Sequence, residues 1–121
     1  MTDEKSRMPE LIKQLKDENQ YIRRDAASWL GKIGANTSLA VPALIETLGD
    51  KNGEVRYYAA RALGQIGAPS ALRPLAKRLW DKAAYVREAA AEALKQIDTP
   101  EAEQMLHKPL RKFLKFILKR N

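Results

Sequence analysis

Apolar positions along this chain recur at a helical period, and the whole pattern then repeats. Segments starting at Asp17, Asp50 and Asp81 read DENQYIRRDAASWLGKIG, DKNGEVRYYAARALGQIG and DKAAYVREAAAEALKQID, spaced by 33 and 31 residues. In the second segment Val55, Ala59, Ala62, Leu63 and Ile66 fall at i, i+4, i+7, i+8 and i+11, one stripe at about 3.6 residues per turn. The same slots hold Ile22, Ala26, Trp29, Leu30 and Ile33, then Val86, Ala90, Ala93, Leu94 and Ile97. Ahead of each segment stands a shorter one, PELIKQLKD, PALIETLGD or RPLAKRLWD, whose Leu15, Leu48 or Leu79 sits two residues before the aspartate. The predicted unit is therefore a pair of helices, and a fixed repeat of this length marks an array of stacked units.

Punctuation agrees with that unit. Pro9, Pro42 and Pro74 stand near the predicted starts of the first helices, where a missing N–H costs little or a mild kink is tolerated. Gly34 and Gly67 follow the second helices, where a left-handed residue closes the last turn. Alanines such as Ala59 and Ala62 in the stripe predict close approach between neighbouring helices. Asp17, Asp50 and Asp81 fall in the turn inside each pair, followed six residues later by Arg23, Arg56 and Arg87. Recurrence in every unit makes this a structural ladder tying adjacent repeats, in preference to three carboxylate sites.

With these residues in place, the chain resembles the HEAT-like repeats first associated with phycobilisome bilin lyases, whose units read roughly D-x-x-x-x-V-R-x-x-A-A-x-A-L-G-x-I-G. Asp50, Val55, Arg56, Ala59, Ala60, Ala62, Leu63, Gly64, Ile66 and Gly67 match it, and the resemblance spans about residues 8–106. It implies an all-α, right-handed α-solenoid, with first helices on the convex side and second helices lining the concave side. The units then run over about 8–38, 39–69 and 70–99, with a capping segment at 100–121. Three departures stand out. Trp29 replaces the small residue found at Ala62 and Ala93, the first linker is two residues longer, and the third unit ends in Lys95 and Asp98 where glycines would stand.

Composition narrows the function classes. At 121 residues with 45% hydrophobic and 31% charged positions, the chain reads as one folded domain, and its lack of cysteine excludes disulfides, thiol nucleophiles and cysteine-ligated metals. The polar opening MTDEKSRMPE carries no leader-like apolar run, and no membrane-length span follows, so a cytoplasmic location is expected. The net charge of +7 belongs to one end: residues 107–121 hold six basic groups and no acid, leaving 16 basic against 15 acidic groups in 1–106. A nearly neutral body does not resemble a surface that tracks a phosphate backbone.

Catalytic candidates are few. His107 is the only histidine and reads as solvated, while Glu101 and Glu103 near it suit a helix start better than a metal. Non-enzymatic function is expected, with no cofactor, metal or small-molecule substrate. Opposite the apolar stripe, at about 100° per residue, the second helices present Arg24, Ser28 and Gly31, then Tyr57, Arg61 and Gly64, then Glu88, Glu92 and Lys95. These slots differ from unit to unit. Tyr57, Arg61 and neighbouring Tyr58 have the chemistry of interface hot spots. Arg24, Ser28, Tyr57, Tyr58, Arg61, Glu88 and Glu92 are thus the candidate partner-binding residues, for a mixed-charge protein surface.

The C-terminal stretch MLHKPLRKFLKFILKRN is amphipathic, with Leu106, Leu110, Phe113, Leu114 and Ile117 on one face. Capping of the array is the favoured reading. Contact with nucleic acid or an anionic membrane through Lys108, Arg111, Lys112, Lys115 and Lys119 is the alternative. The resemblance implies a further one, a bilin lyase or lyase-chaperone subunit acting on a phycobiliprotein.

Overall fold

The computed structural model describes residues 4–107, without the side chains of 4–6 and 35–37. The expected terminal amphipathic helix, with Lys108, Arg111, Lys112, Lys115 and Lys119, lies outside the described residues. The described residues are all-α: α1 (Glu4–Gln14), α2 (Gln20–Ile33), α3 (Val41–Thr47), α4 (Gly53–Ile66), α5 (Leu72–Arg78) and α6 (Ala84–Ile97). Short 3-10 segments, Gly34–Ala40 and Pro69–Ala71, carry the chain between pairs, and residues 100–107 are helical again. The longer first linker is thus taken up as 3-10 turns. Pro42 sits in the first turn of α3 as expected, but α1 starts well before Pro9, which removes one donor from inside a running helix.

Each first helix lies against its own second helix, and α2, α4 and α6 pack side by side along the stack, which makes two helical layers and an α-solenoid. Leu30, Leu44, Leu63, Leu75 and Leu94 are fully buried, as are Val55 and Val86. The second helices approach closely because their crossings are built from glycine and alanine. A Cβ on Gly31 would lie 2.9 Å from the Ala62 Cα, and one on Gly64 2.7 Å from the Ala93 Cα. Gly31 and Gly64 are accordingly buried under the next helix, contrary to their expected place on the exposed face.

The first unit departs from the predicted stripe. Ile22 is 37% exposed and Trp29 44% exposed, whereas Val55, Ala62 and Val86 are fully buried and Ala93 almost so. These slots face the preceding second helix, and α2 has none before it among the described residues. At the other helix ends, Gly67 closes α4 and Asp98 closes α6 in left-handed backbone, φ 75° and 48°.

Candidate protein-interaction face

The second-helix layer is held in register by a ladder of buried ion pairs. Arg23 donates from Nε and Nη2 to the carboxylate of Asp50 at 2.8 and 3.1 Å, and Arg56 does the same to Asp81 at 2.9 and 3.1 Å. Each arginine also donates from Nη1 to the carbonyl of the aspartate in its own unit: Arg23 to Asp17, Arg56 to Asp50 and Arg87 to Asp81. One guanidinium thus closes its own turn and grips the next unit. The aspartates in turn accept backbone N–H groups two residues on, from Asn19, Asn52 and Ala83. Burial alone would raise the Asp81 carboxyl, yet the hydrogen bonds from Arg56 and Ala83 and the charges of Arg56 and Arg78 hold it below the usual carboxylate range. The recurring carboxylates are therefore structural.

On this frame, α2, α4 and α6 expose only the arc left between their neighbours. Relative to the slot of Arg24, Tyr57 and Glu88, that of Ser28, Arg61 and Glu92 lies about 40° around, and that of Gly31, Gly64 and Lys95 about 20° the other way. The next helix covers Gly31 and Gly64. The exposed arc is rotated instead toward the slots of Tyr21, Glu54 and Tyr85, about 60° around, and of Lys32, Gln65 and Gln96, about 80° around. Sequence reasoning missed Glu54, Tyr85, Lys32 and Gln65 because it took the side opposite the core as the centre of the exposed face. In a solenoid both flanks of an inner helix are also packed.

Two concavities occupy that arc. The larger, about 420 Å³, is lined by Arg24, Glu54, Tyr57, Tyr58, Tyr85 and Glu88. Tyr57 meets Tyr58 and Tyr85 edge-to-face, with ring centroids 5.0 and 6.0 Å away. Arg24 bridges to Asp25 at 3.0 Å and to Glu54 at 3.5 Å, and the hydrogen bond to Asp25 leads in holding its guanidinium above the ordinary value. The smaller, about 200 Å³, is lined by Ser28, Lys32, Tyr58, Arg61 and Gln65. Tyr58 belongs to both. The structure therefore brings Arg24, Tyr57, Tyr58 and Glu88 together, joins Ser28 and Arg61 to them through Tyr58, and leaves Glu92 exposed outside either concavity.

These hairpins are found in known proteins. The HEAT repeat pattern matches residues 8–95 and, in a second overlapping register, 41–112. The structure is similar to the complex of CpcE and CpcF of phycocyanin lyase from Nostoc sp. PCC7120, with a TM-score of 0.77 and 34% identity over 91% of this chain and 42% of that one. It is also similar to the crystal structure of an engineered protein, with a TM-score of 0.68 and 26% identity over 82% of this chain and 49% of that one. This chain thus spans less than half the length of either. No curated protein matches its sequence. Since the repeat pattern covers nearly all of the stacked hairpins, the chain belongs to the HEAT-repeat family.

Proposed function

We propose that this chain is a non-enzymatic scaffold module that binds a partner protein on its second-helix face, around Arg24, Ser28, Tyr57, Tyr58, Arg61 and Glu88. The observation that carries the reading is the half-exposed tyrosine cluster of Tyr57, Tyr58 and Tyr85 with Arg61 laid over Tyr57, its Cζ 5.6 Å from the ring centroid. Large rigid aromatic area beside an arginine is what anchors interfaces, and here it stands on helices already fixed by the ladder. The test uses a protein that co-purifies with the wild-type chain. Tyr57→Ala with Arg61→Ala should weaken that complex by about 2 kcal/mol or more while costing about 1–2 kcal/mol of stability, because Tyr57 packs against Tyr58 and Tyr85. Unchanged affinity would place the interface elsewhere.

A second reading, a lyase or lyase-chaperone subunit acting on a phycobiliprotein, is favoured by the 34% identity to the CpcE and CpcF complex. Its test is whether the chain, mixed with CpcF, promotes attachment of a bilin to apo-phycocyanin. The basic-adaptor alternative rests on residues 108–121 and on no described residue.

A further inference from the structure

The smaller concavity, between α2 and α4, has an electrostatic character of its own. Its lining holds two cationic side chains, Lys32 and Arg61, and no carboxylate. The other arginines of α2 and α4 are neutralised: Arg23 by Asp50, Arg56 by Asp81, Arg24 by Asp25 and Glu54. Lys32 and Arg61 are held by rings instead. The Lys32 Nζ lies 4.9 Å from the Trp29 ring centroid, and Arg61 lies over Tyr57 while its Nη1 donates to the Tyr57 hydroxyl at 3.3 Å. A ring positions a cation without cancelling its charge, so both are ordered and still able to meet an anion. The Ser28 and Tyr58 hydroxyls and the Gln65 amide add donors around the same space.

We propose that this notch receives the carboxylate of an aspartate or glutamate side chain presented by the partner protein. The proposal rests on the interaction reading above and specifies the partner's chemistry. A single acidic side chain fits better than a polyanion or an anionic membrane, because Glu54 and Glu88 line the adjoining groove and Glu92 is exposed beside it. A run of phosphates crossing this face would meet those carboxylates. An acidic residue flanked by a basic one would satisfy both concavities, the first in the notch and the second against Glu88 and the tyrosine rings, Glu54 being paired with Arg24.

The test is a titration of the whole chain with N-acetylglutamate N-methylamide at constant ionic strength, followed by amide NMR shifts, with a second arm using inorganic phosphate. Saturable shifts centred on residues 28, 32, 58, 61 and 65 are expected in the glutamate arm, with a dissociation constant in the millimolar range. Lys32→Gln or Arg61→Gln should each weaken binding about tenfold, whereas Lys77→Gln, an exposed lysine on α5, should not. Unsaturating shifts spread over all lysines, or binding that survives Lys32→Gln and Arg61→Gln, would overturn the proposal. Saturation by phosphate but not by the glutamate compound would overturn the carboxylate assignment. Neither readout involves the co-purified partner, so the notch and the scaffold reading can fail separately.

Discussion

The middle hairpin and its two neighbours share one sequence pattern but not one environment. In α4 both flanks are packed: Ala62 presses on Gly31, Gly64 on Ala93, and the unit's Asp50 and Arg56 each find a charged partner in an adjacent unit. In the first unit the slot equivalent to Ala62 holds Trp29, which stands 44% exposed beneath Arg7 and Lys32, and the Asp17 carboxylate receives no arginine among the described residues. In the third unit Arg87 keeps its carbonyl contact but has no carboxylate partner among the described residues. A repeat position thus states what a side chain could do. Its rank in the stack states what it does.

The largest expected contrast is along the ladder. Arg56 and Asp81 have side chains 5% and 2% exposed, so Arg56→Ala leaves a buried carboxylate with only Arg78, 3.3 Å away, as its cation and should cost about 3 kcal/mol. Arg87→Ala, the same slot one unit on, removes an exposed side chain and should cost less than about 1 kcal/mol. Equal losses in urea denaturation would break the comparison. The same rung sets an acid limit. Asp81 titrates lower folded than unfolded, so its contribution is complete above the unfolded carboxylate value of about 3.9. It is lost as pH falls through the folded value, because the unfolded chain binds the extra proton. The wild type should lose stability below about pH 4, and Asp81→Asn, already destabilised at neutral pH, should show a shallower fall.

The packing slot gives the next contrast. Ala62→Leu adds three carbons where α4 already meets Gly31, and should cost on the order of 1–3 kcal/mol. Trp29→Ala, in the equivalent slot of the first unit, should stay within about 1 kcal/mol and chiefly free Lys32. A harmless Ala62→Leu would mean the helices do not approach as described.

Most of the fold was legible because period, spacing and turn residues all pointed one way: the helix pairs, the glycine stops and a recurring aspartate–arginine ladder could be read from three aligned segments, although the Asp50 and Asp81 carboxylates pair with the arginine of the preceding unit and not with the one six residues on. Two features could not. Trp29 and Ile22 looked like core because a periodic stripe records which face a helix buries when neighbours exist, and says nothing of whether they do. The site was half legible for a related reason. Tyr57, Tyr58 and Arg61 were found from their chemistry, but Tyr85, Lys32 and Glu54 join them only through the lateral packing of three helices, which turns the open arc away from the point opposite the core.

The smallest expected effect lies in the turn before α6. Asn19 and Asn52 cap α2 and α4 by accepting N–H groups of Tyr21 and Val55, while Ala83 occupies the same position with no side chain to offer. Its backbone is already that of a cap, φ −96° and ψ 126° against −94° and 127° at Asn52. The contact from the Ala83 N–H to Asp81 uses the main chain, so a change of side chain leaves it intact. Ala83→Asn should therefore supply an acceptor to the first turn of α6 without disturbing the ladder, and stabilise the protein by about 1 kcal/mol. Asn52→Ala should cost a similar amount, and a thermal melt of both variants checks the pair. If Ala83→Asn adds nothing while Asn52→Ala is destabilising, the third turn differs from the second in more than its missing side chain.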